Sequence, residues 1–220
     1  MDDMDRIDAC IFDLDGVIVD TAKYHYKAWK RLANELGFDF TEEQNELLKG
    51  LSRTRSLEII LEIGKVQLSA EEQAVMAARK NEWYVDMIRH MQPDEVLPGA
   101  RAFLESLREA GVKTALGSAS KNAGTILEKV GLAALFDVVV DGNAVTASKP
   151  DPEVFLKGAA GVQADPAYCV VFEDAVAGVQ AAKAGGMKVV GIGDASVLNA
   201  ADMVVSGLED MSLQHLKNLK

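Results

Sequence analysis

The chain has 220 residues, 49% of them hydrophobic and 26% charged, a balance that supports a sizeable buried core and excludes a disordered polymer. Lys and Arg number 23 against 34 Asp and Glu, a net charge of −11 with no basic run, which excludes a nucleic-acid binder or a membrane-surface protein and obliges any anionic ligand to find a local cluster of cations. Cys10 and Cys169 lie in apolar runs at no metal-ligand spacing and read as reduced core residues.

Met1 to Asp8 is acidic and polar where a secretory leader is basic and then apolar, and no apolar run is long enough to span a bilayer. The expected location is the cytoplasm, with no membrane partner. The short apolar run Ala9 to Phe12 stops at Asp13-Leu14-Asp15-Gly16, as a buried strand ends in a polar turn. From about residue 18 to 91 the pattern is helical throughout. Trp29, Leu32, Ala33 and Leu36 share a face, as do Leu57, Ile60 and Leu61, and then Trp83, Met87, Ile88 and Met91. Ser52 and Ser69 are placed as N-caps, the latter with Glu72 at capping-box spacing, and Gly37 and Gly64 as C-terminal stops. After Pro93 and Pro98, helical stretches alternate with apolar segments at Val112–Leu116, Val138–Val140, Val170–Phe172, Val189–Ile192 and Met203–Val205. This alternation predicts an α/β fold, a parallel sheet covered by helices on both faces. The core is expected to comprise residues 1–17 and 92–220, with 18–91 inserted as a helical cap on two hinge linkers.

Ligands of an open parallel sheet bind beyond the carboxyl ends of its strands. Polar groups fall at four such ends: Asp13 and Asp15, Ser118, Lys149, and Glu173-Asp174. Singly, an acid or Ser there often caps the next helix, and a lone Lys is usually a surface charge. Their recurrence at successive strand ends is harder to dismiss. Carboxylates gathered in one crevice repel each other by roughly 4 kcal/mol per pair at about 4 Å and an effective dielectric near 20, so a cation must sit among them. An all-oxygen donor set favours Mg²⁺, which completes its shell with water and phosphate oxygens. Lys149, the Ser118 hydroxyl and backbone N–H groups near Ser120 to Asn122 offer an anion cradle, and together these features point to phosphate. Side chains two apart on a strand face the same way, so Asp13 and Asp15 both aim at the crevice. Asp13 is assigned to attack phosphorus, and Asp15 to move the proton of the leaving and incoming hydroxyls.

Asp13-Leu14-Asp15-Gly16-Val17, Ser118, Lys149-Pro150 and Glu173-Asp174 resemble, in order and across nearly the whole core, the four motifs of the haloacid dehalogenase superfamily. The resemblance implies a Rossmann-like core, an aspartyl-phosphate intermediate, and Mg²⁺ held by Asp13, the Asp15 carbonyl and Asp174 with Glu173 nearby. Within that superfamily Asp20-Thr21-Ala22-Lys23-Tyr24-His25, Leu48-Lys49-Gly50-Leu51-Ser52-Arg53, Arg79-Lys80-Asn81 and Ser118-Ala119-Ser120-Lys121-Asn122 are similar to the motifs of the β-phosphoglucomutase family. By that similarity Arg53, Ser120, Lys121 and Asn122 grip the phosphate not being transferred. Lys80 and the loop of Lys49, Gly50, Leu51, Ser52 and Arg53 read the sugar, and His25 couples cap closure to Asp15. The implied activity interconverts β-glucose 1-phosphate and glucose 6-phosphate, with glucose 1,6-bisphosphate as activator, in a chain expected to act as a monomer. Gly117 and Ala175 depart from the pattern beside functional residues.

Without the similarity, His25 and Lys80 on helices read as surface residues, and Trp29 and Trp83 as bundle core rather than a sugar platform. A sugar-phosphate phosphatase uses the same core with a cap that admits water. A non-catalytic sugar-phosphate sensor leaves the acid pair without a purpose, and a dehalogenase has no use for Mg²⁺ ligands or a phosphate-binding Lys.

Overall fold

A computed structural model describes residues 6–219. Residues 1–5 and 220, among them most of the acidic stretch read above as no leader, lie outside the described residues. Six strands among those described form one parallel sheet: β1 (Ala9–Phe12), β2 (Lys113–Gly117), β3 (Val138–Val140), β4 (Cys169–Glu173), β5 (Lys188–Ile192) and β6 (Met203–Val205). Their order is β3-β2-β1-β4-β5-β6, which places the reversal of strand order between β1 and β4. Strands β2 and β4 end one residue later than their apolar runs, at Gly117 and Glu173. The pairings Gly117 to Val140 and Glu173 to Gly191 continue the ladder, which needs backbone groups and not apolar side chains.

Alternation along each strand divides the core into two layers. Cys10, Phe12, Val170 and Phe172 face α5 (Ala100–Glu109), α6 (Ala123–Lys129) and α9 (Leu213–Lys217), while Ala9, Ile11, Cys169 and Val171 face α7 (Glu153–Gly161) and α8 (Val176–Ala184). Phe12 stacks on Phe172 at 4.6 Å and meets Phe103 edge-on at 6.2 Å, fixing the ends of β1 and β4 side by side. Each such ring, once buried, contributes about 1.5–3 kcal/mol. The two strand tips that carry acids are therefore anchored by packed aromatic rings.

Between β1 and α5 lie four helices, α1 (Ala22–Glu35), α2 (Glu42–Glu46), α3 (Arg53–Gly64) and α4 (Ala70–Ile88), with their own core of Trp29, Leu32, Phe40, Leu57, Ile60 and Leu61. Ser52 caps α3 by accepting from the Arg55 N–H, and Ser69 with Glu72 closes a capping box on α4. Gly37 follows α1 at φ +92°. Gly64, expected as a stop, is instead the last helical residue, and Lys65 takes the left-handed position at φ 52°. Gly64 serves packing: a Cβ there would strike the Phe38 ring. The end of α4 and the turn after it also depart from the bundle, because Ile88 and Met91 are buried in the sheet-side layer with Phe12 and Phe103. The two connecting segments pair with each other, through an antiparallel bridge from Val19 to Val96 and a 2.9 Å bond from the Leu97 N–H to the Ile18 carbonyl. No described helix is long and apolar enough to cross a membrane.

Candidate active site

At the β1/β4 reversal, Asp13, Glu173 and Asp174 each place a carboxylate oxygen within 4.8 Å of the others. Gly16, at φ +79°, lets the turn after Asp15 press against Asp174, whose carboxylate occupies the space of the missing Cβ. Lys149, reaching over from the loop after β3 through a cis bond to Pro150, donates to Asp13 Oδ1 at 2.7 Å and to Glu173 Oε2 at 2.8 Å. Burial works against its charge, but Asp13 and Glu173 outweigh it and hold its pKa high. Lys149 within hydrogen-bond reach and Lys49 at 3.9 Å from Asp174 still leave the three acids in excess. Burial raises the pKa of Asp174 well above the usual range and Glu173 and Asp13 add to the rise; Glu173 is raised too, by burial above all. Residual repulsion and an all-oxygen donor set fit a hard divalent cation such as Mg²⁺.

Asp15 lines the same cavity with Oδ1 buried and unpartnered among the described residues. Burial and then the Asp13 charge push its pKa to about 8, so it holds a proton at neutral pH. Ser118 is fully buried after β2, and its Oγ accepts from the Ser120 N–H at 3.0 Å. The Asn122 N–H goes to Ser120 Oγ at 3.3 Å. Two of the amides expected to cradle an anion are thus used within the loop.

From the helical side come Lys49, Arg53, Lys80 and His25, all lining the cavity of 1420 Å³. Lys49 reaches Asp174 Oδ2 at 3.9 Å and Glu46 at 2.7 Å. Gly50 sits at φ +72°, where a Cβ would lie 3.3 Å from Ala175, and the Asn122 amide donates to Asn81 Oδ1 at 3.0 Å. Cap and sheet are therefore in contact on both sides of the opening. Arg53 is half-buried at the start of α3, and Leu51 and Ser52 line the wall beside it. No acidic partner is found for Arg53 among the described residues, the condition in which a cation awaits an anion.

Lys80 is buried at 2% exposure, over the faces of Trp29 at 4.3 Å and Tyr84 at 4.8 Å, with burial and then Arg53 lowering its pKa well below the usual value. Its Nζ lies 2.8 Å from His25 Nδ1. His25 is expected to couple cap closure to Asp15; the described hydrogen bonds pair it with Lys80, whose charge acts on Asp15 after those of Asp13 and Lys149. Burial, then Lys80 and Arg53, keep His25 neutral. Trp29 belongs to the bundle core, as expected, and also lines the cavity.

All the sequence-nominated residues thus border one cavity or, for Glu173, lie against it through Lys149. Two contributors escape the sequence reading. Tyr84, one helical turn after Lys80, stacks on His25 at 4.1 Å, and its i+4 spacing was the available signal. Asn45, in five-residue α2, offered none, since so short a helix displays no face.

A model of haloacid dehalogenase-like hydrolases matches residues 7–186. The chain is 42% identical to a β-phosphoglucomutase of Bacillus subtilis over 94% of this chain and 93% of that protein, and 30% identical to a phosphorylated carbohydrates phosphatase of Thermotoga maritima over 83% of each. A crystal structure of a Clostridium difficile β-phosphoglucomutase superimposes with a TM-score of 0.93 at 40% identity, covering 96% of this chain and 97% of that one.

Proposed function

The chain belongs to the haloacid dehalogenase-like hydrolase family, and from that premise we propose that it is a β-phosphoglucomutase, interconverting β-glucose 1-phosphate and glucose 6-phosphate. The observation that carries the choice is the unpaired Arg53 lining the same cavity as the acid cluster: a bisphosphate needs two anion sites, one at the reacting acids and one apart from them.

Asp13 attacks phosphorus of glucose 1,6-bisphosphate, forming an acyl phosphate as the bond to the sugar oxygen breaks, and protonated Asp15 gives its proton to that oxygen. In the reverse sense Asp15 takes the proton of the attacking sugar hydroxyl, which accepts the phosphoryl group and frees Asp13. Ser118 and Lys149 steady the phosphoryl oxygens, while Arg53, Ser120, Lys121 and Asn122 hold the distal phosphate. Lys80 and the loop 49–53 orient the ring, with His25 fixing Lys80, and residues 18–91 act as a cap that closes to exclude water. Mg²⁺, when bound by Asp13, Asp174 and the Asp15 carbonyl beside Glu173, neutralises phosphoryl charge that the acids would otherwise repel.

The test supplies β-glucose 1-phosphate, Mg²⁺ and a trace of glucose 1,6-bisphosphate. Glucose 6-phosphate is the expected product. Free phosphate in its place would convert the reading to that of a phosphatase, the activity named for the Thermotoga maritima relative.

A further inference from the structure

Beyond the loop 49–53 the cavity runs on into the helical bundle. Apart from Thr21, which precedes α1, the buried polar side chains of the bundle are Asn45, Ser56 and Lys80, at 7%, 4% and 2% exposure. They come from α2, α3 and α4, and all three line the cavity, as does Trp29 of α1. Ala77 and Ala78 form part of the wall, and their small side chains leave the space open.

Lys80 has its histidine and its rings, but Asn45 Oδ1 is buried without a hydrogen-bond partner among the described residues. The side chain is not capping its own helix, because Thr41 does that and the Asn45 N–H already bonds to the Thr41 carbonyl at 3.1 Å. An orphaned amide oxygen costs about 1–3 kcal/mol, a cost that a ligand supplying a donor relieves. An ionised phosphate oxygen has no proton to give. A hydroxyl does, and it complements the amide in either orientation, since it both donates and accepts.

We propose that Asn45 is a specificity-determining residue that binds one ring hydroxyl of the sugar, on the α2 wall of the cavity. The inference rests on the sugar-phosphate reading above and deepens it. A site built to pair a substrate hydroxyl rejects the analogue lacking it, because the buried amide is then left unpaired.

The experiment measures kcat/KM for β-glucose 1-phosphate and for analogues that each lack one ring hydroxyl, by transfer or hydrolysis, in the wild-type protein and in Asn45→Ala. Asn45→Ala should lose about 10–100-fold on the parent sugar and on all analogues but one, which it turns over as well as the wild type does. A loss of equal size on every compound overturns the assignment. Asn45→Leu, which restores volume without polarity, should give the same pattern and stands in where the Ala variant is not soluble. No wild-type turnover of any sugar phosphate refutes the underlying reading itself, whereas wild-type turnover with a uniform variant loss refutes only the role of Asn45.

Discussion

Asp13 and Asp15 stand two residues apart, yet their surroundings divide the labour between them. Asp13 accepts a hydrogen bond from Lys149, whereas Asp15 keeps a buried oxygen with no partner and a pKa of about 8. An ordinary unfolded Asp titrates near 3.9. Between about pH 4 and 8 the folded protein therefore holds a proton that the unfolded chain has released, and stability from this group, full below pH 4, is lost as pH rises through 8. Asn at this position has nothing to titrate. Urea unfolding in EDTA should show Asp15→Asn gaining on the wild type steadily from pH 5 to 8 and levelling off above; a gap independent of pH would mean that Asp15 ionises freely in the fold. The sequence disclosed the pair through its position at a strand end. It also assigned attack to Asp13 and proton transfer to Asp15; what only the fold supplies is the burial that, ahead of the neighbouring Asp13 charge, raises the Asp15 carboxyl.

The loop 49–53 joins α2 to α3 and carries cap groups to the acid cluster, with Lys49 at 3.9 Å from Asp174. That approach depends on Gly50, whose left-handed backbone and missing Cβ let the loop settle against Ala175. A larger side chain would strain the turn and prop the loop away from the sheet, admitting water beside phosphorylated Asp13. Gly50→Val is accordingly expected to raise the ratio of phosphate release to glucose 6-phosphate formation about tenfold or more, an estimate resting on the loss of loop closure. An unchanged ratio with slower turnover of both would show that the loop only binds sugar. The periodic apolar face of α1 and the short apolar runs of the six strands were legible in the sequence. The stop of α3 and the burial of Ile88 and Met91 against the sheet were not, because each depends on a partner from elsewhere: the Phe38 ring in one case and the Phe103 layer in the other.

Across the whole molecule a charge of −11 surrounds a cavity lined by Lys49, Arg53, Lys80, Lys121 and Lys149. Composition alone required some such cluster for an anionic ligand, and the motif order located most of it, but Asn45 became visible only when four helices closed around it. The cations belong to two bodies, Lys49, Arg53 and Lys80 to the helical insertion and Lys121 and Lys149 to the sheet. A bisphosphate that engages both should brace them together, whereas inorganic phosphate satisfies one anion site at a time. Global unfolding does not separate the two cases, since each ligand at a hundredfold excess over its Kd stabilises the fold by about 2.7 kcal/mol. Opening of the connecting segments does. Hydrogen exchange at the Leu97 amide, bonded to Ile18 across the paired linkers, should be slowed by glucose 1,6-bisphosphate about tenfold more than by phosphate at equal saturation. Arg53→Ala should abolish the difference while leaving phosphate protection intact, because it removes the cap's hold on the distal phosphate and nothing from the acid cluster. Equal protection by both ligands in the wild type would mean that the bisphosphate is held by the sheet alone.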